Sequence, residues 1–348
     1  NGKKNCCNLV QLRHNHNDFE KLFGLDYGYN SSLNPSMVEH LRKKVRVVLK
    51  KFSIKRNDFI LDIGSNDATT LSFYPKSTRR IGFDPIGNKF KENYKNMKLI
   101  NDYFSYELCK KHKIQNVKVI NSFAMFYDLE DPNKFCNDIS KIIDKDSGIL
   151  VLEQCYLPSM LANNCYDTIC HEHLEYYSLS IVIKMLKKNN LKLIDVKKND
   201  INGGSLGLII AHNQSNYKEN VLNIRKLIIE EKRYKLESKK TFDIFYKKIL
   251  TLKEKLNELI KKILSQNKVI HGYGASTKGN VLLQYFQLNN NMIKCIADRN
   301  NQKKNLYTPG TKIKIVTEKF SRLLKPDFYL VLPRHFKDEI LKREKSIR

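Results

Sequence analysis

Residues 166–178 read YDTICHEHLEYYS and bring two histidines, three carboxylates, three tyrosines and a cysteine into thirteen positions. Histidine titrates near neutrality, so His171 and His173 are candidates for moving a proton at physiological pH. Glu172, between them, is placed to orient a partner or raise its basicity. If the segment is extended, His171 and His173 project to one face and Glu172 to the other. A metal reading would use Cys165, Cys170, His171 and His173, whose side chains have the right ligand chemistry. The H-x-H spacing lacks the i, i+4 helical pairing of zinc hydrolases, however, and a hydrogen-bonded loop sealing a sheet is the third possibility. Acid/base catalysis is the expectation, with no metal at the stretch.

Two glycine turns supply candidate binding chemistry. In LDIGSNDATTL (61–71), Asp62, Gly64, Ser65, Asn66 and Asp67 stand where a strand gives way to a helix. Glycine lets a ligand approach the backbone there, and the turn's amides and hydroxyls can meet polar groups. A single glycine among acidic residues repels a pyrophosphate and suits an ammonium, which favours S-adenosylmethionine over a nicotinamide dinucleotide. Asp84, in GFDP, lies about 20 positions on, where an acid commonly binds both ribose hydroxyls. Phe104 is placed to stack on adenine or to sit in the core. In the second turn, GYGASTKG (272–279), Gly272 and Gly274 precede Ser276, Thr277 and Lys278, a plausible pyrophosphate cradle at a helix start. Asp298 either binds ribose or caps a turn, and Arg334 and His335 end another strand.

These residues must be carried by strands that alternate with helices. Strand-like runs at 58–64, 79–84, 98–104, 117–123 and 148–154 are separated by helix-length segments, the pattern of a mostly parallel sheet. LSIVIKMLKKNN is an amphipathic helix, and LKLIDVKKN and NGGSLGLIIAHN are expected to form the sheet's antiparallel edge. Residues 217–265 are polar, lysine-rich and helical in period, one or two long amphipathic helices. A second βαβ pattern begins at residue 268. The division expected is 1–50, an N-terminal segment; 51–215, a methyl-donor domain; 216–265, a helical linker; and 266–348, a second, smaller α/β domain.

With 63 Lys and Arg against 36 Asp and Glu, the formal charge is +27. The lysines are spread along the chain rather than gathered into a face, so nucleic acid is not the expected partner. No run of about 18 apolar residues is present, and no membrane span is expected. The eight cysteines are scattered, without the dense framework of small secreted domains. A cytoplasmic protein with reduced thiols is expected, as monomer or homodimer.

In order, CNLVQL (7–12), YGYNSS (27–32), LDIGSND (61–67), GFDP (82–85), YDLEDPNKF (127–135), the histidine stretch, NGGSL (202–206), GYGASTKGNVLL (272–283), PGTKIKI (309–315) and LPRHF (332–336) resemble the S-adenosylmethionine-dependent C-methyltransferases of nucleotide-linked 4-keto-deoxysugars. The resemblance covers nearly the whole chain. It implies a class I methyltransferase domain with a Rossmann-like sheet, followed by a second Rossmann-like domain that grips the nucleotide sugar. It implies His173 as the base that forms an enolate, with Glu172 and His171 beside it. Tyr29 would stabilise the enolate oxygen, and Tyr27 belongs to the segment that folds over the sugar. The donor would be bound by Asp62, Gly64, Ser65, Asn66, Asp84 and Phe104. The substrate diphosphate would be met by Ser276, Thr277, Lys278 and His335. Full-length relatives carry a structural zinc on cysteine pairs; here Lys4 stands where a first cysteine would, so a fragment at both ends without that zinc is expected. Cys170 replaces a tyrosine and Met125 a histidine common among sugar-methylating relatives, departures expected to set the substrate apart. Two alternatives stand beside this reading: an O- or N-methyltransferase of a small molecule, and a nucleotide-sugar-binding protein without catalysis.

Overall fold

The FILDI run, Phe59–Ile63, is buried from Ile60 onward, as a central strand covered on both faces must be. In the computed structural model, which describes residues 7–14, 24 and 27–344, it is β1. It is followed by β2 (Arg79–Phe83), β3 (Lys98–Ile100), β4 (Val119–Phe123), β5 (Ile149–Cys155), β6 (Leu191–Asn199) and β7 (Ser205–His212). The sheet order is β3-β2-β1-β4-β5-β7-β6, with β7 antiparallel to both its neighbours. This is the class I methyltransferase arrangement. The strand order reverses between β1 and β4, which opens a crevice at the carboxyl ends of those strands.

Alternation along the strands divides the core. Ile60, Val119, Ile149 and Val151 face Val45 and Val48 of α1 (Pro35–Lys51) and Leu71 of α2 (Thr69–Ser72). Leu61, Ile63, Ile120, Leu150 and Leu152 face the other way, in one cluster with residues of α3 (Tyr106–Lys111), α4 (Pro132–Ile142), α5 (Leu179–Lys188) and α6 (Val221–Lys232). Asp131 caps α4 by accepting from Lys134 N–H at 2.8 Å, with Pro132 in the first turn. Buried Glu231 of α6 accepts from Leu179 N–H at 2.5 Å, Ser180 N–H at 3.0 Å and Tyr156 O–H at 3.0 Å, which fixes the start of α5.

The strand expected over 98–104 stops at Ile100. Tyr103 N–H turns to Asp102 Oδ1 at 2.7 Å, a local bond that competes with the ladder and leaves Phe104 in a loop.

The chain divides into two compact units, and the sheet above belongs to the first, with residues 1–158, 172–200 and 204–237. The second contains 159–171, 201–203 and 238–348, so part of the histidine stretch clusters with it. Its elements are α7 (Lys239–Ser265), β8 (Ile270–Tyr273), α8 (Thr277–Tyr285), β9 (Ile296–Asp298), β10 (Ile315–Thr317), α9 (Glu318–Leu323), β11 (Phe328–Val331) and α10 (Lys337–Arg343). Its four strands are all parallel, in the order β10-β9-β8-β11. Tyr166 is held in this unit by stacking on Phe286, ring centroids 5.2 Å apart. The helical stretch 217–265 is thus two helices, α6 in the first unit and α7 in the second. No helix among the described residues is long and apolar enough to cross a membrane.

Candidate functional site

The turn after β1 is built from left-handed residues: Gly64 at φ +71°, Asn66 at +47° and Ala68 at +62°. Such conformations cost energy for non-glycine residues and persist where surrounding bonds fix them. Asp84 supplies those bonds, accepting from Asn66 N–H at 2.7 Å and Ile86 N–H at 2.9 Å. One lone pair on each carboxylate oxygen is left over. Burial pushes the Asp84 carboxyl up, and the two amide bonds oppose this. Asp62 is pushed well up as well, by burial first and then by the charges of Asp84 and Asp67, with a hydrogen bond to Thr70 opposing.

Ser65, expected to bind the donor, is buried. Its hydroxyl lies 2.7 Å from that of Tyr94, beneath the turn. Gly82 makes room for this pair, because a Cβ there would clash with Ser65 Oγ and lie 2.7 Å from the Tyr94 ring. Phe104 packs edge-on against Phe83 and Phe135, at 5.4 and 5.5 Å. Met125 lies over Gly64, whose Cβ, if it had one, would be 3.3 Å from Met125 Cγ.

The segment 27–33 is tied directly to the same turn. Asn66 Oδ1 accepts from Ser31 N–H at 3.0 Å, and its amide nitrogen donates to Tyr29 O at 3.2 Å. Asp67 Oδ2 accepts from Ser32 N–H at 2.8 Å, and Lys89 Nζ donates to Tyr27 O at 3.0 Å. Asn66, expected to bind the donor, therefore spends its side chain on this strap. The ties made by Lys89 and Asp67 were not visible in the sequence, where Asp67 read as a residue of the donor turn and Lys89 was not singled out.

The candidate acid/base residues lie in the histidine stretch. His173 is buried, and its ring lies 4.3 Å from that of Tyr127. Leu174 N–H donates to Tyr127 O at 2.8 Å, so the two segments are tied through backbone as well. A carboxylate oxygen of Glu172 and a ring nitrogen of His173 lie within 4.8 Å of each other. His171 is exposed, and the expected sharing of a face with His173 does not place it in a buried centre.

Of the two strap tyrosines, Tyr27 is the one that feels this group. Its phenol is pushed well up by burial, then by Glu172, Asp128, Tyr29 and Asp84, and so stays a neutral donor. Tyr29 has 41% of its surface open, yet the protein packed around it pushes its phenol up to about 12, with a hydrogen bond from Ser31 opposing. Asp128, absent from the residues singled out by sequence, is pushed well up by burial and by Glu172 and Glu175. Burial also pushes Glu175 up to about 8, against a hydrogen bond from Tyr177.

In the second unit, Ser276 caps α8 by accepting from Gly279 N–H at 3.0 Å, with Thr277 the first helical residue. Lys278 Nζ donates to Asn202 O at 2.9 Å. Arg334 donates to Asn163 O at 2.9 Å and lies 3.2 Å from Cys165 Sγ. Lys278 and Arg334 both act on Asp167, whose carboxyl burial pushes up and these cations pull down. Asp298 repeats the geometry of Asp84, accepting from Ala275 N–H and Asn300 N–H, each at 2.7 Å. The side chain of His335 lies outside the described residues.

The Arg334 guanidinium lies beside Cys165, one of the four residues of the metal reading. For zinc, Cys7 is exposed, while Cys6 and Lys4 lie outside the described residues.

Residues 200–348 match the family described as the C-methyltransferase C-terminal domain. The chain is similar to C-methyltransferase NovU of Streptomyces niveus, 27% identical over 98% of this chain and 81% of that protein. Among solved structures, it is similar to magnesium protoporphyrin IX methyltransferase of Synechocystis PCC 6803 with bound SAH, at TM-score 0.42 and 9% identity, over 56% of this chain and 92% of that one. It is also similar to a sarcosine dimethylglycine methyltransferase described as putative from Galdieria sulphuraria, at TM-score 0.41 and 13% identity, over 52% and 86%. With the sequence match at both levels, residues 200–348 resemble the C-methyltransferase C-terminal domain and the chain as a whole is similar to a C-methyltransferase.

Proposed function

We propose that the protein methylates a carbon beside the ketone of a nucleotide-linked deoxysugar, with S-adenosylmethionine as donor. The observation that carries this reading is the buried His173 beside Glu172, with the neutral phenol of Tyr27 in electrostatic reach of Glu172. A C–H bond beside a ketone must lose its proton before carbon can act as a nucleophile, and this needs a near-neutral base and a donor for the enolate oxygen.

S-adenosylmethionine supplies an electrophilic methyl group. Asp84 has an unused lone pair on each oxygen for ribose hydroxyls, and the acidic single-glycine turn suits the donor's ammonium. His173 takes the proton from carbon, Glu172 orients the ring, and Tyr27 or Tyr29 donates to the enolate oxygen. Phe104 borders the adenine side, and His171 has a lesser part. In the second unit, Ser276, Thr277, Lys278 and His335 serve the diphosphate. The enzyme works as a cytoplasmic monomer or homodimer, without nucleic acid.

The test is incubation with S-adenosylmethionine and a panel of nucleotide 4-keto sugars in heavy water. Deuterium appears at the carbon beside the ketone, and a His173→Gln variant loses both exchange and methylation. Methylation without exchange, unaffected in that variant, would move the reaction to an oxygen or nitrogen acceptor.

A further inference from the structure

Arg80 is the second residue of β2, and only 6% of its surface is open. Its guanidinium reaches Leu71 O at 3.4 Å and Asn96 O at 3.5 Å, long bonds to neutral carbonyls. Its Nε–H is enclosed and meets no acceptor among the described residues. Burial pulls the guanidinium below its ordinary value, and no acidic group opposes this. A buried cation without a counter-charge is costly, and arginine does not shed its proton to escape the cost. The counter-charge is one that the surrounding chain does not supply.

The side chain borders a cavity of about 470 Å³, lined also by Arg79, Lys98, His112 and Lys113 and by no Asp or Glu. That volume suits a small molecule. Phe59, Arg79 and Lys98 are the first residues of β1, β2 and β3, so the cavity lies at the amino ends of these strands, opposite the crevice at their carboxyl ends. Lys98 Nζ lies 3.0 Å from His112 Nδ1. An ammonium only donates, so Nδ1 is the acceptor and the ring's proton is on Nε2. Burial first, then the charges of Lys98 and Lys111, hold His112 below the ordinary histidine value, which keeps the ring a neutral N–H donor at pH 7.

We propose that this cavity is an anion site for a phosphate-bearing small molecule, with Arg80 as its buried counter-charge and Lys98, His112 and Lys113 as the donors around it. A phosphate carries acceptor oxygens on several sides of one centre, which suits donors arriving from β2, from β3 and from the end of α3 better than a planar carboxylate does. The site is separate from the reaction assigned above and does not depend on it.

The test is calorimetry of the full chain with inorganic phosphate, uridine monophosphate and acetate as probes. It is run in a Lys278→Ala background, which removes the lysine assigned to the diphosphate in the second unit. Phosphate binding is expected to persist there, to weaken about tenfold in Lys98→Ala/Lys113→Ala and on the order of a hundredfold in Arg80→Met. Lys98 and Lys113 are exposed, so the double variant reads the site even where Arg80→Met fails to fold. A second measurement needs no substitution in the site: the Arg80 Nε–H resonance in nitrogen NMR shifts as phosphate is added, with the half-saturation seen in calorimetry. Uridine monophosphate binding more tightly than phosphate identifies a nucleotide as the occupant, and equal binding identifies a free phosphate; both uphold the site. The proposal is overturned by the absence of binding of either phosphate probe at millimolar concentration, by acetate binding as tightly as phosphate, or by phosphate binding that neither the Arg80 nor the lysine substitutions weaken.

Discussion

Glu175 shows how a single buried carboxyl can set a pH limit on the fold. Its folded value of about 8 stands above its ordinary value of 4.5, so the folded state keeps a proton that the unfolded chain releases. Stability contributed by the neutral form is complete below 4.5, declines as pH rises, and is lost by about 8. Glu175→Gln cannot ionise, and its melting temperature is expected to exceed the parent's by several degrees at pH 8 while matching it near pH 4, as read by thermal denaturation. Asp84 makes a different prediction. Without its carboxylate, the amides of Asn66 and Ile86 lose their acceptor and the turn loses its shape. Asp84→Ala is expected to weaken S-adenosylmethionine binding by about tenfold or more in calorimetry, the loss of one to two good charged hydrogen bonds, with nucleotide-sugar binding less affected.

Between elements, close approach matters more than composition. Gly82→Ala forces Ser65 and Tyr94 apart beneath the turn, and is expected to cost about 1–3 kcal/mol in urea denaturation, the usual range for overpacking. Glu231→Ala leaves Leu179 N–H, Ser180 N–H and Tyr156 O–H without their acceptor, and is expected to cost about 2–4 kcal/mol on the same measurement. The strands and helices were legible because buried apolar runs and 3.6-residue periods report directly on burial, and the antiparallel edge was legible from NGGSL and its flanks. Strand ends were less so: Asp102 cuts β3 short through a side-chain bond that no periodicity records. Among candidate site residues, Gly64 and Asp84 could be placed at the first turn, and His173 in the crowded stretch, because each belongs to a local motif. Asp128 could not be, because its surroundings come from Glu172 and Glu175, about 45 positions away in the chain, and in YDLEDP it is one of three acids leading into a helix. Asn66 was legible as a turn residue while its bonds to the strap, some 35 positions upstream, were hidden for the same reason.

Across the whole molecule, the +27 formal charge gives an anionic substrate a favourable field that a cationic or zwitterionic donor does not share. About a tenfold rise in ionic strength is expected to weaken nucleotide-sugar binding several-fold and S-adenosylmethionine binding far less, measured by calorimetry at each salt. The repeated carboxylate-to-amide lock, Asp84 in one unit and Asp298 in the other, shows the same solution to shaping a turn used twice in one chain. The strap carries a further consequence. Its anchors, Asn66 and Asp67, belong to the loop that would receive the donor, so whichever ligand stiffens that loop also fixes Tyr27 and Tyr29 in place. Free energy would then pass between the two substrates through the strap, and because such linkage is reciprocal, an occupied acceptor would tighten donor binding by as much as the donor favours the acceptor at equilibrium. Seven residues of backbone would thus hold the electrophile most firmly once something worth methylating has arrived.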